Sequence, residues 1–284
     1  MDRNPLAITV AVALASLITW APSADGRSAQ SAPFLAPSPL RHNTANIASA
    51  SGGAARGQTR RLSNETTHSE WAYVIRRTRA RTRPDSRSPI LHRITHCDRF
   101  GCYTVDNTAE LVLALNQVRA LNGRLWVRVR LPMRPNNETG WILRSALSGF
   151  HVVTTELVID RNRLRATLYD RGRRVWSAPV GIGKPSTPTP GGHFYIREGL
   201  RTTDPGGLYG VYAFGTSAYS RKLTDWPGGG VIGMHGTNEP SLIPGRPSHG
   251  CIRLKNKDMR RLMRRLPYYP GADEIGLGTP IRIR

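Results

Sequence analysis

Residues 235–254 read H-G-T-N-E-P-S-L-I-P-G-R-P-S-H-G-C-I-R-L, which puts Cys251 two residues after His249 and sixteen after His235. A cysteine attacks as its thiolate, so a nucleophilic Cys251 needs a base or a cation close by, and either histidine qualifies. Gly236 and Gly250 are useful for a different reason. Without a Cβ, glycine lets backbone N–H groups come close to a reacting carbonyl, as an oxyanion hole demands. Nucleophile, base and oxyanion donors can all come from this one segment. The rival reading is a zinc site, since His235, His249 and Cys251 are ligand types and His193 could be a fourth, but a His-x-Cys pair is not a familiar ligand spacing. We therefore expect no metal and no cofactor.

Several elements must position these residues. An apolar run at 231–234 reads as a strand leading into His235. After the motif, Asn256-Lys-Asp258 can cap a helix in which Met259, Leu262, Met263 and Leu266 recur at helical spacing, with Pro267 ending it. Upstream, residues 157–159, 163–169, 174–180 and 193–196 read as strands, with a turn at Asp170-Arg-Gly172. The segment Thr187-Pro-Thr-Pro-Gly-Gly192 has the Pro-Gly density of an ordered loop. A last strand closes the chain at 279–284. This region, 150–284, is expected to be β-rich with one short helix.

Residues 71–149 show short alternating runs at 72–75, 90–94, 103–105, 111–115, 125–131 and 140–143. Trp126-Val-Arg-Val-Arg130 has the period-two pattern of a half-buried antiparallel strand, and Asn122-Gly123 before it is a hairpin-turn signal. Together they suggest a small all-β, barrel-like domain. Residues 25–70 are rich in Ala, Ser, Gly, Pro, Asn and Arg with little apolar periodicity, and are expected to be a disordered spacer. At 1–24, an apolar run followed by Ala21-Pro-Ser-Ala24 has the form of a secretory signal peptide; an uncleaved N-terminal anchor is the alternative, and would be the sole link to a membrane. Either way the remainder is exported.

Cysteine usage fits export. Cys97 and Cys102 enclose a four-residue loop suited to a disulfide. That leaves Cys251 as an odd, free thiol. The formal net charge is +22, with only four lysines (Lys184, Lys222, Lys255, Lys257), so nearly all the positive charge is arginine. Such a chain adheres to polyanions, anionic cell-wall polymer among them. The arginines are spread along the whole chain and no finger, basic zipper or RNA-binding signature occurs, which argues against a specific nucleic-acid partner.

With these residues laid out, 150–284 resembles the L,D-transpeptidase catalytic domain of the YkuD family. His235-Gly236 and Ser248-His249-Gly250-Cys251-Ile252-Arg253 match the family motif of His-Gly, a spacer, then [Ser/Thr]-[His/Arg/Lys]-Gly-Cys with an apolar residue and Arg or Asn. Thr187-Pro-Thr-Pro-Gly-Gly192 and Gly278-Thr-Pro-Ile-Arg282 are similar to two further family segments. Residues 139–147 resemble the closing strand of bacterial SH3-like domains. The resemblance implies a cysteine acyltransferase acting on peptidoglycan stem peptides. Cys251 would expel the terminal D-Ala of a tetrapeptide stem to form a thioester, which an amine of a neighbouring stem resolves into a 3→3 cross-link. Water in place of the amine would give an L,D-carboxypeptidase. A non-catalytic, basic wall-binding protein is the third reading; it predicts an incomplete motif, and this one is complete.

The resemblance also implies roles. His235 is the base, oriented by the Gly236 carbonyl. Backbone N–H groups of His249, Gly250 and Cys251 form the oxyanion hole. Ser248 and the His249 ring shape the loop, and Arg253 pairs with a substrate carboxylate or locks the loop. Thr237 and Asn238 lie on the substrate side of the motif. Tyr209, Tyr212, Phe214 and Trp226 fall where the family carries a substrate-covering flap, and of these Tyr212 and Trp226 are expected to meet substrate; ordinary packing is the other reading for each.

Overall fold

Strands dominate the computed structural model, which describes residues 59–284 apart from 105–106, 225–226 and 270–273. The signal or anchor segment at 1–24, most of the expected spacer, and Trp226 lie outside the described residues. Two sheets carry the architecture, and the described residues group as one compact unit.

The first sheet has eight strands, in the order Ile90–Ile94, Thr78–Arg81, Thr139–Leu143, Leu125–Arg130, Leu111–Arg119, Ser69–Tyr73 and His151–Val153, with Thr59–Arg61 also pairing to Leu111–Arg119. Its Asn122-Gly123 turn forms as expected, with Gly123 at φ 77°. Alternation sends Val127, Val129, Ala80, Val112 and Ile142 into one buried cluster. Among the described residues no pairing joins Ile90–Ile94 to His151–Val153, so the strand order is that of an open path. Ordered structure begins earlier than the composition suggests. Thr59–Arg61 is an exposed edge strand held by backbone pairing, and Leu62 beside it is 1% exposed, so the spacer expected to reach residue 70 gives way to the sheet by Thr59. Three polar residues on an edge leave no hydrophobic period to detect.

The second sheet has ten strands, in the order Arg173–Pro179, Arg165–Asp170, Thr155–Asp160, Pro280–Ile283, Gly192–Arg201, Tyr212–Tyr219, Val231–His235, Ile252–Arg253, Gly181–Gly183 and Gly245–Ser248. The closing strand sits inside it, parallel to Thr155–Asp160 and antiparallel to Gly192–Arg201. One helix, Asn256–Met263, packs Met259 and Leu262 against the core of this sheet. Its N-cap is Lys255 with no side-chain cap, so Asn256 is not the cap the pattern suggested; its side chain is used elsewhere. Tyr212–Tyr219 is also a correction. The resemblance put Tyr212 and Phe214 where the family carries a flap, with ordinary packing as the other reading for each; both are buried and the strand lies in the middle of the sheet, so packing is what the structure shows and the substrate contact expected of Tyr212 is corrected. Its glycine and small residues hide the β pattern.

The sheets meet across a shared apolar cluster of Trp71, Leu111, Leu113, Val153, Tyr195 and Leu277. Tyr195 donates its hydroxyl to the Leu111 carbonyl at 3.1 Å, and Arg197 forms a buried two-pronged pair with Glu110, its Nε donating to Oε1 at 2.8 Å. Gly278, at φ 70°, lies under the Trp71 ring, where any Cβ would collide with it. The loop between Leu125–Arg130 and Thr139–Leu143 reaches across as well. Arg134 donates to the carbonyls of Ser220 (3.0 Å), Leu223 (3.2 Å) and Gly229 (2.7 Å). Asn136 exchanges two hydrogen bonds with the backbone of Tyr219, at 2.7 and 2.9 Å.

Candidate active site

Parallel pairing closes the sixteen-residue gap between His235 and Cys251. Val231–His235 runs alongside Ile252–Arg253 with Met234 opposite Ile252 and His235 opposite Arg253. Side chains alternate along a strand. Met234 and Ile252 therefore enter the core, both fully buried, while His235, Arg253 and Cys251 share the other face. Gly233 stands between them: its N–H donates to the Cys251 Sγ at 3.4 Å, and a Cβ there would lie 3.8 Å from both that sulfur and the His235 ring. Any side chain larger than methyl would fill the space the two reactive groups share. All three line one cavity of about 280 Å³, with Tyr209, Leu208, Leu223 and Val231 among its walls.

His235 is 3% exposed and its Nδ1 lies 2.6 Å from the Gly236 carbonyl. A carbonyl can only accept, so Nδ1 carries the hydrogen and Nε2 is left as the basic nitrogen. Burial pushes the imidazole down to about 4, the Gly236 carbonyl opposes that shift, and the Arg253 cation adds to it. Burial likewise raises the Cys251 thiol, while the Gly233 N–H and Arg253 pull it down. Both shifts favour the uncharged pair at neutral pH. The resting site is a thiol beside a neutral imidazole, because desolvation outweighs one N–H and one cation.

The loop carrying Cys251 is held from several sides. Ser248 donates to the Cys251 carbonyl at 2.6 Å and accepts from the Gly250 N–H at 3.1 Å, closing the turn on itself. Although it lines the cavity, its one hydroxyl hydrogen is committed to the Cys251 carbonyl, and it positions the loop. The Gly250 N–H is thereby engaged and does not point to an incoming oxyanion, contrary to expectation. Among the described residues the Cys251 N–H has no hydrogen-bond partner. Gly250 is required for its backbone, at φ 130° with Ile232 Cδ1 at 2.9 Å from where a Cβ would be. Thr189, in the Thr-Pro loop, donates to the Gly250 carbonyl at 2.7 Å and accepts from the Gly183 N–H at 2.9 Å, fully inside the protein. Lys184 Nζ lies 3.0 Å from His249 Nε2; an ammonium has only donors, so this nitrogen of His249 is the acceptor and the ring is tethered away from the role of base.

Beyond the His235 strand, Asn256 Oδ1, at the start of the helix, accepts from the Thr237 N–H at 3.1 Å and sits against Gly236, where any Cβ would clash with it. Arg253 pairs with Glu239 at 2.8 Å, which ties the loop leaving His235 to the strand following Cys251, while its Nε is buried without a partner.

The expected substrate contacts fare unevenly. Thr237 is 2% exposed and outside the cavity lining, and Asn238 is exposed but also outside it. Tyr212 is 1% exposed, packed against Phe214, so it belongs to the core. Tyr209 is the aromatic that meets the site, its ring edge-on to His235 at 4.9 Å. Thr189, Asn256, Lys184 and Gly233 were not singled out as site residues; Thr189 was marked only by the Pro-Gly density of its loop and that segment's family resemblance, and Asn256 only as part of a helix cap. Cys97 and Cys102 form the disulfide, and Cys251 is the free cysteine. Among the described residues no three His, Cys, Asp or Glu side chains gather as a metal-holding group.

A mainly β scaffold thus sets a lone thiol and a neutral, backbone-oriented histidine on one face of a cavity. Residues 154–283 match the family model of YkuD, the L,D-transpeptidase catalytic domain. Over 111 residues the chain is 35% identical to the YkuD protein of Bacillus licheniformis, covering 39% of this chain and 59% of that one. Against YkuD of Bacillus subtilis it is 37% identical over 101 residues, 36% of this chain and 54% of that one. The chain thus spans between half and two thirds of the length of these curated relatives. Among solved structures it is similar to the catalytic domain of the Enterococcus faecium L,D-transpeptidase, at 23% identity and a TM-score of 0.32, over 46% of this chain and 96% of that one.

Proposed function

We propose that this protein is an exported, cysteine-dependent L,D-transpeptidase that cross-links peptidoglycan stem peptides 3→3. The observation that carries the reading is the register of Val231–His235 on Ile252–Arg253, which gathers Cys251, His235 and Arg253 on one cavity face. As Cys251 attacks the carbonyl of the third residue of a tetrapeptide stem, its proton passes to His235 Nε2. The tetrahedral oxyanion takes the Cys251 N–H as a donor. Collapse breaks the bond to the terminal D-Ala, whose amine leaves with the proton from His235, and a thioester remains. An amine of a second stem then attacks, His235 accepts its proton, and the thiol is released. The charged imidazolium exists only while negative charge develops beside it, which suits a histidine that burial keeps neutral at rest. Arg253 would exchange part of its pairing with Glu239 for a stem carboxylate. Residues 1–24 direct export, and the segment after them lets the folded part reach the wall.

The test is to incubate the purified protein with disaccharide-tetrapeptide and follow products by mass. A dimer short of one D-Ala supports transpeptidation. A monomeric tripeptide moves the reading to an L,D-carboxypeptidase. No change with wild type, under conditions where Cys251→Ala is equally silent, sinks it.

A further inference from the structure

The first sheet carries a second cavity, of about 420 Å³, lined by Arg77, Arg79, Arg81, Arg93, Ser86 and Trp126 among others, none of which lines the catalytic cavity. Strand geometry explains why these cations converge. In Thr78–Arg81, Ala80 enters the core, so Arg79 and Arg81 project from the opposite face. Arg79 stands directly opposite Arg93 on Ile90–Ile94, and Arg81 opposite Trp141, which in turn faces Arg128. Like charges opposite one another on a sheet destabilise it. Among the described residues none of Arg77, Arg79, Arg81 or Arg93 forms an ion pair with a carboxylate; Arg77 and Arg81 reach only the backbone carbonyls of Cys97 and Ser88. Beneath them, Trp126 is 2% exposed and its indole Nε1 is buried with no hydrogen-bond partner. A cavity walled by four guanidinium groups that have no carboxylate partner is short of one thing, an anion with several acceptor oxygens.

We infer that this cavity binds the phosphate groups of a phosphodiester-linked polyanion that carries no bases. Guanidinium forks match phosphate oxygens two at a time, and four of them supply more donors than a single carboxylate accepts. The cationic track runs past the cavity, through Arg76 and Arg83 on the same segment and Arg128 on the same face, which suits a chain of phosphates over a free ion. A nucleic acid fits less well. Single strands bind by stacking successive bases on exposed aromatic faces; the aromatic residue lining this cavity is buried, and Trp141 between Arg81 and Arg128 offers one partly exposed ring where a run of bases needs several. The cavity would hold the protein on an anionic polymer with the catalytic face free.

The experiment titrates the full chain with poly(glycerol phosphate) by calorimetry at about 0.15 M salt, where long-range attraction to a +22 chain is largely screened. The double variant Arg79→Gln/Arg93→Gln is compared with Arg264→Gln/Arg265→Gln, which removes the same charge from exposed positions after the helix. The first should weaken binding at least about tenfold and the second less than about twofold, because only contacting cations release counterions. Equal weakening by the two would mean that net charge alone acts, and would overturn the site, as would a wild type that does not bind. Polyglutamate bound as tightly would overturn the choice of phosphate; single-stranded DNA bound more tightly would overturn the base-free polymer; inorganic phosphate displacing the polymer at equal phosphate concentration would overturn the chain. Should the first double variant lose its native circular dichroism, Arg77→Gln, which lies before the strand, is read by the same criteria.

Discussion

The electrostatics of the Cys251–His235 pair can be tested by the pH dependence of thiol alkylation. Burial raises the Cys251 thiol above its ordinary 9.0 and lowers His235 to about 4. At pH 7 the thiol form therefore dominates. Moving His235 from 6.5 to about 4 disfavours its protonation by about 3 kcal/mol. The resting pair is therefore uncharged across the neutral range. Iodoacetamide modification of unreduced protein reads this directly, because Cys97 and Cys102 are tied in the disulfide and Cys251 is the one described thiol left to react. The pseudo-first-order rate should rise about tenfold per pH unit from pH 6 to beyond 9, with no plateau below, as expected for a single thiol titrating above 9. Arg253→Gln removes a cation that lowers both groups, so His235 should titrate higher and the alkylation curve should move to higher pH. A rate already level between pH 5 and 8 would reveal a thiolate–imidazolium pair and refute the reasoning. The same histidine bears on stability. Between about 4 and 6.5 the unfolded chain binds more protons, so stability rises with pH there; the contribution is complete above 6.5 and about 3 kcal/mol is lost as pH falls to about 4.

Three further outcomes are expected. Thr189→Val removes the donor to the Gly250 carbonyl and the acceptor for the Gly183 N–H, so stability should fall by about 1–3 kcal/mol in urea titration and turnover should drop more than substrate affinity, since the loop it holds carries the nucleophile. Arg134→Ala removes three bonds to the carbonyls around 220–229, beside the cavity wall at Ser220, Leu223 and Gly230; KM should rise while the chemical properties of Cys251 in the alkylation assay stay as in wild type. Glu110→Ala strands the Arg197 cation inside the joint between the sheets and should cost about 3–5 kcal/mol of stability, whereas Glu110→Leu combined with Arg197→Met should recover most of it. Equal destabilisation by the single and the double change would show that the pair is not what makes the joint sensitive.

What could be read from the sequence were features whose cause is local. The strands at 125–131 and 231–234 announce themselves because buried and less buried positions alternate within a few residues, and 157–159 because it is a short apolar run buried on both faces. The Asn122-Gly123 turn follows from which residues accept positive φ. The pairing of Cys97 with Cys102 follows from their short loop, and the chemistry of Cys251 from its neighbours in the motif. Non-local effects escaped it. Tyr212–Tyr219 reads as flap because glycine and serine say nothing of the strands on either side, and Thr59–Arg61 reads as spacer because only the pairing to Leu111–Arg119 makes it a strand.

The sequence by itself determined the inventory of the site: a free thiol, two histidines, an arginine and the glycines between them. Tertiary structure decided which of these act together. Parallel pairing put His235, Gly233 and Arg253 on the face of Cys251, the Lys184 side chain claimed His249, and core packing withdrew Tyr212 and put Tyr209 in its place. It also set the protonation of the pair, because desolvation depends on everything packed around a group, and no window of sequence contains that.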